Sequence, residues 1–160
     1  YSINGSIRSK GWDLGLTFQG VTGKTIYNAT RLELENTTNG VNYLATTLDA
    51  WTPENHNASV PRLIWTDPNQ NSRSESNRYL ESGTYFRLRT VQIGYTVPKR
   101  ILGKYINSCR VYINMDNLFT ITPYKGYSPD VNSTNVYSRG FDEFMYPTNR
   151  TFMLGLNLSF

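Results

Sequence analysis

The chain has 160 residues, enough to bury a core as one domain, and a formal net charge of +4. Hydrophobic residues make up only 38% of it, while 12 Tyr, 7 Phe and 3 Trp make it rich in aromatics, a composition that suits strands and polar loops better than helices. No apolar run of about 18 residues occurs, which rules out a transmembrane helix and leaves a membrane barrel open; the 16 basic residues are scattered outside any nucleic-acid motif, so no nucleic-acid partner is expected.

In chain order, residues 1–8 alternate Tyr1, Ile3, Gly5 and Ile7 with Ser2, Asn4, Ser6 and Arg8. A short turn, Ser9-Lys10-Gly11, leads to residues 11–20, where Trp12, Leu14, Leu16 and Phe18 alternate with Asp13, Gly15, Thr17 and Gln19. A period of two puts each set on its own face of a strand, and the tight turn makes the pair an antiparallel hairpin. Residues 21–83 carry no clear strand. Within them Val41, Leu44, Leu48 and Trp51 have helical spacing that Pro53 would end, so a helix is expected there and loop elsewhere.

A long strand follows over 84–97, with Val91, Ile93, Tyr95 and Val97 on one face before Pro98 stops it. A short basic connection leads to a strand over 109–121. Its apolar set is Val111, Ile113, Met115, Phe119 and Ile121, and Arg110, Tyr112, Asn114 and Asp116 form the other face. Asn114 and Asp116 are expected to line a hydrated wall. A second long loop, 122–149, is rich in Tyr, Asn, Pro and Gly. The last strand, 150–160, alternates Phe152, Leu154, Leu156, Leu158 and Phe160 with Thr151, Gly155, Asn157 and Ser159, Met153 being the one apolar exception. These eleven residues fit equally a half-buried strand of a soluble sandwich and a barrel strand with Leu and Phe to lipid.

Loop lengths decide between the two. Short turn, long loop, short turn, long loop places the short connections at one end and the long ones at the other. Outer-membrane barrels have this asymmetry, with short periplasmic turns and long extracellular loops; a sandwich has no reason for it. The expected fold is therefore all-β, about five antiparallel strands of a transmembrane barrel with two long extracellular loops. Asn57 and Asn135 would lie outside the cell and Lys104 in the periplasm. The alternative is a soluble β-rich carbohydrate-binding or adhesion module, which would not need detergent.

Several stretches resemble the C-terminal end of SusC/RagA-type TonB-dependent transporters of Bacteroidetes outer membranes. They are Lys10-Gly-Trp-Asp-Leu14, Trp51-Thr-Pro-Glu-Asn55, Tyr85-Phe-Arg-Leu-Arg89 with Gly94-Tyr-Thr-Val-Pro98, Asn117-Leu-Phe119, Tyr124-Lys-Gly-Tyr-Ser-Pro-Asp130, Pro147-Thr-Asn-Arg-Thr-Phe152 and Leu154-Gly-Leu-Asn-Leu-Ser-Phe160. Met115-Asp116 before Asn117 departs slightly from the family pattern. The resemblance covers almost the whole chain. It implies a full-length barrel of about 22 strands with a plugged lumen, of which this chain holds the last strands, with the plug domain absent. It implies nutrient import, of glycans or oligopeptides, energised by TonB through the missing N-terminal part. A SusD-like surface lipoprotein would form the lid. Phe160 would then be an assembly signal read by the barrel-insertion machinery.

No catalytic constellation is visible. The single His56 has no partner motif, the carboxylates are not paired for glycoside hydrolysis, and neither a metal nor another cofactor is expected. The lone Cys109 reads as a small packing residue. The best substrate-binding candidates are the loop aromatics Trp51, Trp65, Tyr124 and Tyr127, whose flat faces suit sugar rings, with Asn117 and Asp130 as hydrogen-bonding groups. The bland reading of the aromatics is packing between loops or against the lid protein. Arg87 and Arg89 share the parity of Val91 and Ile93, and without a bulge they point to lipid. Eight steps from Val97 to Arg89 at about 3.4 Å, tilted by about 40°, reach roughly 21 Å up a band about 25 Å tall. That would place the arginines among lipopolysaccharide phosphates, which an Arg fork binds well. A β-bulge near Thr90 would instead turn both into the lumen.

Overall fold

A computed structural model of the protein describes residues 1–73, 75–131 and 138–160. In chain order the elements are β1 (Ser2–Ser9), β2 (Trp12–Val21), β3 (Thr25–Asn28), α1 (Ala29–Glu35), β4 (Leu80–Ser82), β5 (Tyr85–Thr96), β6 (Ser108–Ile121), β7 (Phe141–Asp142) and β8 (Thr151–Ser159). Short 3-10 turns lie at Ala45–Asp49 and Asn77–Tyr79. Two units divide the chain. A wall sheet takes in Tyr1–Gly23, Thr84–Pro123 and Pro147–Phe160, and a loop unit takes in Lys24–Gly83 and Tyr124–Tyr146. Asn135 lies outside the described residues.

The wall sheet is a meander in the order β1-β2-β5-β6-β8, with every neighbour antiparallel. Register makes its two faces chemically different. Ile7, Leu14, Ile93, Ile113 and Leu154 follow one another across the five strands, with Gly5, Leu16, Val91, Met115 and Phe152 beside them. The other face carries Asn4, Thr17, Thr90, Asp116 and Thr151 in one row and Arg8, Asp13 and Gly94 in another. Aromatics cluster at both ends of the apolar face. Trp12 packs on Tyr95 at 4.8 Å between ring centroids, and at the far end Phe86 stacks on Phe18 at 5.5 Å and on Tyr1 at 6.5 Å. From Trp12 to Gly20 is eight steps of about 3.4 Å, roughly 21 Å of height at a tilt of about 40°, close to the apolar band of an outer-membrane barrel with its aromatic girdles.

The strands do not stay in step. Leu16 to Phe18 on β2 is matched by Val91 to Leu88 on β5 and by Met115 to Phe119 on β6, so two, three and four steps span the same height. The odd extra residue on β5 is Arg89, and it inverts the parity above it. Phe86 and Leu88 therefore lie on the apolar face, paired with Gly20 and Phe18, while Arg87 pairs with Gln19 and Thr120 on the polar face. The Arg87 Nε donates to Thr120 Oγ1 at 3.0 Å, and Arg89 Nη1 donates to Gln19 Oε1 at 3.3 Å. Both guanidinium groups are thus directed to the polar face, and the lipopolysaccharide contact expected for Arg87 and Arg89 is withdrawn. On β6 the two extra residues preserve parity, and Asn117 takes a left-handed φ of 55° there.

The loop unit is built on a small sheet ordered β4-β3-β7, with β3 antiparallel to β4 and parallel to β7. Sequence spacing led to a helix over Val41 to Trp51; that stretch makes only the 3-10 turn, and the helix forms earlier, at α1. The Asn28 side-chain oxygen accepts from Arg31 N at 2.8 Å and caps it. Seven residues are too few to hold a helix alone. Tertiary burial of Ala29, Leu32 and Glu35 holds this one. Val41 and Leu48, by contrast, are exposed, so their helical spacing has no core to face.

Candidate functional site

In the wall sheet the hydrogen-bonding side chains gather on the polar face. Asp116 is its central carboxylate, accepting from Thr90 Oγ1 at 3.0 Å and from Asn114 Nδ2 at 3.1 Å. Nearer the short turns Arg110 makes a two-pronged bond to Asp13, Nε to Oδ1 at 3.0 Å and Nη2 to Oδ2 at 2.6 Å. These two residues sit on β6 and β2 and reach over the intervening β5 because Gly94 stands between them. A Cβ there would lie 2.6 Å from both Arg110 Nη2 and Asp13 Oδ1. The polar face therefore presents hydrogen-bonded, internally satisfied groups, which suit a hydrated wall. Asn117 belongs to this unit; its amide donates to the Asn149 carbonyl at 3.1 Å, and together with its positive φ this makes it a shaping residue of the bulge.

In the loop unit an ion network organises the site. Glu35, with 3% of its side chain exposed, holds Arg31 Nε at 2.8 Å and Arg78 Nη2 at 2.7 Å. Arg31 also reaches Glu81 at 3.0 Å. The buried Tyr79 ring has both guanidinium groups over it, at 6.0 Å and 5.7 Å. Burial opposes the Arg31 charge, but the bonds to Glu35 and Glu81 outweigh it and raise its pKa. Burial also raises the Tyr79 phenol. Beside this network lies an open cleft of about 330 Å³, lined by Leu34, Leu44, Val60, Lys125 and Tyr127 among others.

The candidate ligand residues fare differently. Tyr124 is 6% exposed and packs with Ile26 and Val131. Its hydroxyl donates to the Asp142 carboxylate, and burial first, then that bond, raise its pKa. Its ring is part of the core, with no face free for a sugar. Trp51 is half-buried, its backbone N bonded to Val60 O at 2.9 Å and its ring beside His56. Asp130 is half-buried too, on a turn whose backbone N meets Ser128 Oγ at 3.3 Å. Trp65 and Tyr127 are the open aromatics, 66% and 72% exposed. Only Tyr127 lines the cleft. Nothing local pointed to the Glu35 network, because its members run from Arg31 to Glu81, 50 positions apart, through apparent loop. Among the described residues no cluster of three or more His, Cys, Asp or Glu side chains is placed to hold a metal.

No family model matches the chain. It is 36% identical to TonB-dependent receptor P3 of Formosa agariphila over 99% of its own length and 16% of that protein's. It is 33% identical to TonB-dependent receptor SusC of Bacteroides thetaiotaomicron over 53% of its own length and 8% of that protein's. Its structure matches that of the RagAB peptide importer in the closed-closed state, with a TM-score of 0.76 and 28% identity, over 94% of this chain and 16% of that one. The chain thus spans about a sixth of the length of the relatives that it matches end to end.

Proposed function

Because this chain is of the SusC/RagA type of TonB-dependent receptor, a fraction of whose length it spans, we propose that it forms a stretch of barrel wall in a receptor that imports nutrients across the outer membrane. One observation carries this reading: five antiparallel strands with one face of Leu, Ile, Val and aromatic residues and the other of Thr, Asn, Asp and Arg. A soluble sheet would have to cover the apolar face with a second layer. A barrel wall turns it to lipid and its polar face to a hydrated lumen. The outer edges of β1 and β8 need strands on either side, since unpaired backbone groups are unsatisfied in lipid; the rest of the receptor supplies them.

In this reading the chain works by transport and not by catalysis. The loop unit lies outside the cell, where a SusD-like lipoprotein covers the barrel, and TonB acts through a part of the receptor beyond this segment. The cargo is a glycan or an oligopeptide. Trp65 and Tyr127 meet either the cargo or the lid. The test is uptake by the full-length receptor in cells. Loss of the receptor should abolish TonB-dependent uptake of labelled glycan or peptide, and Trp65→Ala with Tyr127→Ala should weaken it. A protein that leaves the membrane fraction without detergent would overturn the reading.

A further inference from the structure

The connection between β5 and β6 is too apolar and too basic for a plain solvated turn. Its two tight bends are closed by Ile101 N to Pro98 O at 2.9 Å and Ile106 N to Gly103 O at 3.3 Å. They leave Ile101 and Tyr105 strongly exposed. Lys99, Arg100 and Lys104 flank these two, and Lys10 stands in the neighbouring β1–β2 turn, all four exposed. No Asp or Glu occurs between Val97 and Ser108, and none of the four cations has a carboxylate partner among the described residues. The connection joins two inner strands of the sheet, so its exposure does not come from a missing neighbour strand. It also lies just past the Trp12–Tyr95 pair, which closes the apolar face at this end. Aromatic pairs of that kind sit at the level of lipid head groups.

We infer that this connection is a lipid anchor: Ile101 and Tyr105 enter the head-group region of the inner, phospholipid leaflet, and Lys99, Arg100, Lys104 and Lys10 bind anionic phospholipid phosphates. Its chemistry is that of juxtamembrane basic segments, in which each cation adds attraction to an anionic surface and apolar side chains add burial. The choice of leaflet rests on the topology given under Proposed function.

The experiment uses the full-length receptor, cysteine-free apart from Tyr105→Cys carrying an environment-sensitive dye, in phosphatidylethanolamine vesicles with or without phosphatidylglycerol. Heat-modifiable mobility checks that each variant is folded. Acrylamide quenching of the dye should be weaker with phosphatidylglycerol present. Lys99→Gln, Arg100→Gln and Lys104→Gln together should remove that difference and lower the apparent affinity for the anionic lipid about tenfold or more. Equal quenching in the two vesicles, or a difference that survives in the triple variant, overturns the anchor. Topology is read separately, with a membrane-impermeant dye on intact cells carrying Lys104→Cys. Labelling there overturns the leaflet assignment and the topology behind it, while the vesicle result still reports the lipid contact.

Discussion

Glu35→Ala should loosen the loop unit and leave the wall sheet unchanged. Each Glu35 oxygen holds one guanidinium, at 2.8 Å for Arg31 and 2.7 Å for Arg78. After truncation Arg31 keeps Glu81 at 3.0 Å, but Arg78 is left without a carboxylate. Its Nε already has no hydrogen-bond partner among the described residues, so its charge is left to the Tyr79 ring and to partial solvent contact. Removing one member of a buried ion pair costs about 3–5 kcal/mol. Both arginines retain some solvent access, which puts this case at the low end, about 3 kcal/mol. That is about a hundredfold in the local opening equilibrium, at about 1.4 kcal/mol per tenfold. Hydrogen exchange on the full-length receptor reads it directly. Amides of Ala29–Glu35 should exchange about a hundredfold faster, and those of Thr151–Ser159 at an unchanged rate. Glu75→Gln is the control, because its bond to Arg73 at 3.5 Å is solvent-exposed and worth little. An acceleration under tenfold at α1, or equal acceleration in β8, would refute the reasoning.

Three further outcomes are expected. Leu154→Arg places a charge on the apolar face between Phe152 and Leu156, at a cost of about 2–4 kcal/mol near the bilayer midplane; folded, heat-modifiable receptor should fall, whereas Thr151→Arg on the opposite face, where the register partner is Asp116, should leave it unchanged. Gly155→Val should also impair assembly, because a Cβ at Gly155 would lie 2.2 Å from the Tyr112 ring, and Tyr112→Ala in the same chain should restore the folded band. The third concerns alkaline pH. The phenols of Tyr124 and Tyr79 hold their protons above the ordinary value of 10.0 in the folded unit, through burial in both and the Asp142 bond in Tyr124. A group with a raised folded pKa contributes its full stability below the unfolded value and loses it as pH rises through the folded one. Proteolytic resistance of the loop unit should therefore hold up to about pH 10 and decline above it, and Tyr124→Phe should flatten that decline. A resistance that declines between neutral pH and pH 9 instead, or an unaltered slope in the variant, would contradict the assignment.

Much of the wall was legible from local sequence, because strand pairing writes itself as a period of two. Trp12 to Phe18 and Phe152 to Leu158 alternate apolar with polar or small residues almost without fault, and a one-residue shift would move every one of them to the wrong face. Loop lengths then set which ends of the strands meet. The reading of Arg87 and Arg89 failed for a reason that no single strand contains. Parity holds along a strand only while its neighbours keep step, and the extra residue at Arg89 is visible only against Phe18 on β2 and Phe119 on β6.

The loop unit was hidden for a related cause. Its strands have four, three and two residues, too short to show a period, and its helix depends on an asparagine cap and on Glu35 meeting Arg78 from 43 residues away. Tyr124 looked like an open aromatic because sequence carries no record of depth; only the fold brings it against Ile26, Val131 and Asp142. The two-faced strands and their order are written along the chain, since both follow from side-chain alternation and connection length. Which polar groups pair with each other emerges only on folding, because a hydrogen bond between distant residues depends on where the chain returns and leaves no local pattern.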